Sequence, residues 1–365
     1  MTYLRHILDT ISVFNLNILF LLGLALFGGT IGGRLFQKLR IPQVVGYITI
    51  GIIIGESGLK LVNHNTIMTL QPFNYFALGL IGFMVGGELK KDIFLKYGKQ
   101  FITILFCEGI TPFIFVSLLV GIIGSIFFDW RLAWSLGLLF GAIASATDPA
   151  TTTEVFREYK TRGPLTTTII GIVALDDGLA LMLFAIASSI AGSLSGYAHE
   201  GFLMAVVSPL YNIGGAILLG GALGFILSEI LKKYSEKERL LVFSIGTVLL
   251  ITGLALLMKV EMLLAAMTAG IIVANSTPRK SKDVFQLLGG FTPPIYVIFF
   301  VLIGAKLNFI HMTAVTFLLV GIYLFGTIVG KIVGSRIGSR ISGAPGSVQK
   351  YLSFGLFSQA GVAIG

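Results

Sequence analysis

Twelve apolar stretches divide this chain, at about 13–33, 42–55, 67–88, 100–127, 132–156, 164–190, 204–228, 240–258, 262–275, 289–305, 312–335 and 348–365. A bilayer's hydrocarbon core is about 30 Å thick and a helix rises about 1.5 Å per residue, so most of these runs are long enough to cross it. In lipid only a helix or a closed barrel satisfies its own backbone, and runs of this length predict helices. The loops between them alternate without exception between basic and nearly uncharged. One set carries twenty Lys and Arg, whereas the other has only Arg5, Lys60, Arg131, Lys259 and Lys306. Since basic residues collect on the cytoplasmic side, this predicts a multi-pass protein of the cell (inner) membrane with its N-terminus outside. The expected fold class is an all-α polytopic membrane protein in which residues 1–365 form one transport domain.

Placed this way, the net charge of +9 is a topology signal and gives no reason to expect nucleic acid as a partner. The lone Cys107 has no second cysteine to pair with in its own chain. The first apolar segment is too long for a signal-peptide core and reads as an uncleaved helix. Its glycines, Gly28, Gly29, Gly32 and Gly33, suit close helix packing, either at a subunit interface or within the bundle. His6, His64, His199 and His311 all fall near loops, so no histidine is available as a proton relay inside the membrane.

The run from Pro164 to Ile190 contains two adjacent carboxylates, Asp176 and Asp177. They stand about 18–20 Å in from Pro164, near the middle of the membrane, where a charge costs at least about 2.5–3.5 kcal/mol. An ionisable pair at that depth marks a functional site. Neighbours on a helix are about 100° apart, which predicts separate jobs for the two. The fifth segment contains Ala144-Ser-Ala-Thr-Asp-Pro-Ala-Thr-Thr-Thr-Glu154. Pro149 removes a backbone donor and frees carbonyls such as that of Ser145, so the helix is either broken there or only kinked with its hydroxyls self-satisfied. Ser145, Thr147 and Asp148 supply hard oxygen donors suited to Na⁺ or K⁺. Of the 26 Lys and Arg, Lys350 at the start of the last stretch counts with the basic loop before it, and Lys331 alone is placed within the membrane. Glu108 lies in the fourth segment at a compatible depth, where it either pairs with Lys331 or faces a watery vestibule. The seventh to ninth segments carry almost nothing polar and read as scaffold.

Several of these stretches together resemble the monovalent cation:proton antiporters. Ile41-Pro-Gln-Val-Val-Gly-Tyr-Ile-Thr-Ile-Gly-Ile-Ile-Ile-Gly-Glu-Ser-Gly-Leu59 is similar to their opening motif. Phe83-Met-Val-Gly-Gly-Glu-Leu89 resembles a second family segment, with Gly87 where Leu is usual. Thr147-Asp148-Pro149, Asp176-Asp177, Pro293 to Leu307 and Lys331 follow in the family's order. The resemblance implies an inverted-repeat fold with two broken crossing helices, the second within 348–365, and a thirteenth helix beyond Gly365. It implies scaffold and dimer helices at about 13–88 and 204–305, core helices at about 100–190 and 312–365, and a homodimer. It makes Asp177 the carrier and pairs Asp176 with Lys331.

On this reading the chain is no enzyme and needs no cofactor. Its partners are monovalent cations, protons and membrane lipid. The expected function is Na⁺/H⁺ exchange by alternating access, electrogenic because electroneutral relatives lack the Asp-Asp and Lys combination. K⁺/H⁺ exchange and electroneutral exchange are the alternatives, and a sodium-coupled organic solute symporter is a more distant one. An intramembrane aspartyl protease would need its two Asp on different helices with a Gly-x-Gly-Asp segment, and a channel would need a filter-like loop.

Overall fold

The computed structural model describes residues 17–62, 64–195, 202–310 and 312–359. Arg5, His6, His199, His311 and the tail 360–365 lie outside them, and so do residues 13–16 of the first expected helix. Among the described residues the chain is helical, without strands: α1 Ile18–Lys38, α2 Gln43–Ile54, α3 His64–Thr69, α4 Gln71–Glu88, α5 Lys91–Gly124, α6 Trp130–Ser145, α7 Pro149–Glu158, α8 Pro164–Ser195, α9 Phe202–Lys233, α10 Lys237–Met258, α11 Met262–Ser276, α12 Pro278–Lys306, α13 Ala314–Ile341 and α14 Gly346–Tyr351, with a 3₁₀ turn at Leu352–Gly355. Among the described residues seven helices are long and apolar enough to cross a membrane, and α2 and α11 are shorter apolar helices. The molecule is a multi-pass helical membrane protein.

Several boundaries differ from the sequence expectation. The stretch expected as one helix over 132–156 is two, α6 and α7, because Pro149 cannot donate a backbone hydrogen bond and sits at the first turn of a new helix. α5 and α12 begin about nine and eleven residues earlier than the apolar pattern predicts. Their first turns carry Lys91, Asp92 and Lys96, and Arg279, Lys280, Lys282 and Asp283, charges that belong with the basic loops at that end of the bundle. At the chain's other end, the helix expected over 348–365 stops at Gly355 and is followed by non-helical backbone over 356–359.

The helices pack as two groups. In the first, α1, α2, α4, α9, α10, α11 and α12 share one large apolar core. The stripe Gly29, Gly32 and Gly33 of α1 lies against Tyr47 and Ile50 of α2 and Val297 of α12, so its packing is internal to the chain. Gly87, where the resemblance expects Leu, is covered by the Phe285 ring: a Cβ there would stand 2.3 Å from it. In the second group, α5 is enclosed by α6, α8 and α13. A glycine at every fourth residue of α13 makes this possible. A Cβ on Gly330 would lie 2.4 Å from the Pro112 Cα, one on Gly334 2.3 Å from the Cys107 carbonyl, and one on Gly338 2.8 Å from the Ile104 Cα. Small residues at such spacing let two backbones approach closely. The short α7 bridges the groups, with Glu158 accepting from the Gln43 backbone at 2.9 Å and Arg157 donating to Thr292 at 3.1 Å.

Candidate functional site

The glycine ladder on α13 lowers Lys331 onto α5 beside Glu108, and both side chains are fully buried at 0% exposure. The Lys331 ammonium donates to Glu108 Oε2 at 2.8 Å, to Thr147 Oγ1 at 2.8 Å and to the Ser145 carbonyl at 2.5 Å. Those three acceptors use all three of its protons. The Ser145 carbonyl is the one that Pro149, four residues on, leaves without its helical donor. Asp176 Oδ2 is 3.7 Å from the same ammonium, an ion pair outside hydrogen-bond range. The pairing of Lys331 with Asp176 therefore exists here as the longer of two arms, and Glu108 holds the shorter one.

α6 and α7 are separated by Ala146-Thr147-Asp148, whose backbone is extended at Ala146 and Asp148. This break is closed from the other end of the chain. The Asp148 N–H donates to the Ser358 carbonyl at 2.8 Å, the Thr152 and Ser358 hydroxyls are 2.7 Å apart, and Gln359 Nε2 donates to the Ala144 carbonyl at 3.1 Å. Tyr323 of α13 donates to Gln359 Oε1 at 2.7 Å and orients that amide. Two non-helical segments thus meet at the level of Thr147 and supply each other's backbone partners, as buried polar backbone requires.

Asp148 is the N-cap of α7. Its Oδ1 accepts from the Ala150 N–H at 3.0 Å and its Oδ2 from the Thr151 N–H at 3.0 Å and the Thr151 hydroxyl. This geometry anchors the helix start and leaves few lone pairs for an ion. Ser145 likewise spends its hydroxyl on the Ala142 carbonyl at 2.7 Å.

Asp176 and Asp177 are buried, at 0% and 4% exposure, and no described residue donates a hydrogen bond to any of their four oxygens. Buried polar atoms nearly always have partners, so four orphaned carboxylate oxygens side by side mark a place built to accept something. The sequence reading missed a third carboxylate near them, Glu261, at the start of α11 in the first helix group. With Asp176, Asp148 and Lys331 it is one of the charged groups around Asp177. Its only signal in the sequence was an acidic residue next to an apolar run, in a turn that also holds Lys259.

An all-helical membrane bundle with an interrupted helix, a buried ammonium and orphaned carboxylates at its centre has the architecture of a secondary ion transporter. Residues 22–365 match the sodium/hydrogen exchanger transmembrane family, and the chain belongs to that family. Among curated relatives, it is 25% identical over 300 residues to a Na⁺/H⁺ antiporter of Enterococcus hirae, covering 79% of this chain and 73% of the relative. It is 26% identical over 292 residues to the ammonium/H⁺ antiporter subunit AmhT of Alkalihalophilus pseudofirmus, covering 80% and 71%. In fold it resembles the sodium proton antiporter MjNhaP1 of Methanocaldococcus jannaschii, with a TM-score of 0.67 at 23% identity, over 92% of this chain and 81% of that one. A second structure of MjNhaP1 gives a TM-score of 0.75 at 19% identity, with 92% and 80% covered.

Proposed function

We propose that this chain exchanges Na⁺ for H⁺ across the cell membrane, with Asp177 as the carrier. The observation that carries the reading is the buried Asp177 carboxylate, which has no hydrogen-bond donor among the described residues. Such a group is stable when it holds either a proton or a cation, and the two exclude each other. One carboxylate alternating between them is sufficient for antiport.

Asp176, the Ser145 carbonyl and the Thr147 hydroxyl complete the cation's oxygen shell. Two of these oxygens hold the Lys331 ammonium at 2.5 and 2.8 Å, so an arriving cation competes with a positive charge already seated there. When the cation wins, Lys331 loses its hold on the Ser145 and Thr147 oxygens and gives up a proton as a neutral amine. Displacement of a protonated amine gives the cycle a second proton to release, and this supports electrogenic exchange. The titrations of Glu108, Asp176, Asp177 and Lys331 belong to the cluster as a whole. The glycine-packed group around α5 moves against the group around α11, exposing the site to each side in turn, and the basic loops are cytoplasmic. The scaffold carries the homodimer contact.

Solid-supported-membrane currents from purified protein in proteoliposomes test this. Na⁺ jumps at several pH values are expected to give a pH-dependent current that is absent in Asp177→Asn. Wild-type exchange retained in that variant ends the carrier assignment. Dye-detected proton exchange without steady charge movement makes the exchange electroneutral. A current with K⁺ and none with Na⁺ makes it a K⁺/H⁺ antiporter.

A further inference from the structure

Glu261 stands at the same depth as the carrier. α11 ends where Asn275 donates to the Leu89 carbonyl at 3.0 Å and accepts from the Lys91 N–H at 2.7 Å. Leu89 shares one pocket with Gly163 and Thr166, where α8 begins. α8 and α11 therefore rise from a common level. Asp177 lies thirteen residues up α8 from Pro164 and Glu261 fourteen up α11 from Asn275, which puts both about 20 Å above that level.

The two are also neighbours laterally. α8 touches α11 directly, and α9 spans the pair. A Cβ on Gly178, beside Asp177, would lie 3.9 Å from Ile213, and one on Gly215 would lie 2.6 Å from Val260, beside Glu261. Both acids thus adjoin the same short stretch of α9. Glu261 Oε1 caps α11 by accepting from the Leu263 N–H at 3.2 Å, and the residue keeps partial solvent exposure. Asp177, by contrast, is buried with both oxygens unpartnered. The charged groups acting on Asp177 are Glu261 from α11, Asp176 on its own helix, Asp148 at the α7 cap and Lys331 from α13.

We propose that Glu261 is a second cation-handling carboxylate, carried by the opposite helix group, through which the monovalent cation passes between Asp177 and the face away from the basic loops. The inference rests on the antiport reading above. A cation on Asp177 sits between two carboxylates on separate bodies, and its transfer to the partly exposed Glu261 leaves Asp177 free for the incoming proton. One positive charge leaves Asp177 as another arrives, so no co-reactant is needed.

A purely structural Glu261 would be an N-cap and nothing more, and serine caps a helix as well. The experiment therefore compares Glu261→Ser, which keeps the cap and removes the carboxylate, with Glu261→Asp, which keeps both. Full-length protein in proteoliposomes is assayed by dye-detected proton movement over a Na⁺ titration at several pH values, with melting temperature as the folding check. Glu261→Ser is expected to melt as wild type and to raise half-saturating Na⁺ about five-fold, equivalent to about 1 kcal/mol. Its activity midpoint is expected to move to lower pH, since removing a neighbouring negative charge weakens proton competition. Glu261→Asp is expected to stay near wild type in both. Wild-type Na⁺ dependence and pH profile in a folded Glu261→Ser overturn the inference alone. A wild type that shows no exchange overturns the antiport reading, and this inference with it.

Discussion

Replacing Glu108 by Gln tests how the Lys331 ammonium is held. At an effective dielectric of about 20, the 2.8 Å contact with Glu108 contributes about 6 kcal/mol of attraction and the 3.7 Å contact with Asp176 about 4.5 kcal/mol. The two carboxylates stand at most about 6.5 Å apart, the sum of the two contacts, so their mutual repulsion is at least about 2.5 kcal/mol on the same scale. Removing either acid relieves that repulsion equally. The net cost is then at most about 3.5 kcal/mol for Glu108→Gln and about 2 kcal/mol for Asp176→Asn, and the gap of about 1.5 kcal/mol does not depend on the separation. The first figure falls at the lower end of what breaking a buried ion pair costs, as expected when a second anion remains to hold the cation. Purified variants in detergent are compared by thermal unfolding. Glu108→Gln is expected to melt about 2 °C below Asp176→Asn. An Asp176→Asn variant that melts as low as Glu108→Gln, or lower, refutes the assignment of Glu108 as the closer partner.

Two more outcomes follow from the packing around the site. Gly330→Leu forces a side chain into the Pro112 backbone and is expected to cost about 3 kcal/mol or more and to lose the monodisperse peak on size exclusion, whereas Gly321→Ala, which meets nothing within 4 Å, leaves it intact. Asp148→Ala removes three hydrogen bonds from the start of α7 and is expected to lower stability by about 1–2 kcal/mol in thermal unfolding, and to slow exchange by loosening the break.

The helices were legible because lipid imposes one rule on every crossing segment, and the loop charges repeat it independently. The interruption at Thr147-Asp148-Pro149 was legible because proline's missing donor is a local property. Lys331 was legible through its isolation among apolar residues. The division of labour among the acids was not, since the 2.8 and 3.7 Å distances from Lys331 depend on how α5, α8 and α13 rotate against one another. The α13 glycines fix that rotation, but only once the partner helix is known. Glu261 was hidden for a related reason. In sequence it follows Lys259, the left-handed residue that ends α10, and reads as part of an outer turn. Only the shortness of α11, 15 residues, sets that turn down at the depth of the carrier.

The mutual pairing of the two non-helical segments also sets a schedule for making the protein. Asp148 relies on Ser358, 210 residues later, and Glu108 on Lys331, 223 residues later. Ribosomes add about 5–20 residues per second, so the first half spends about 10–45 s in the membrane before either partner exists. During that interval the open backbone of the interruption and the carboxylate of Glu108 have to be kept hydrated, because lipid offers them no donors. The arrival of Lys331 and Ser358 then supplies those missing partners. Two late contacts, Lys331 on Glu108 and the stretch around Ser358 on the interruption at Asp148, complete the site.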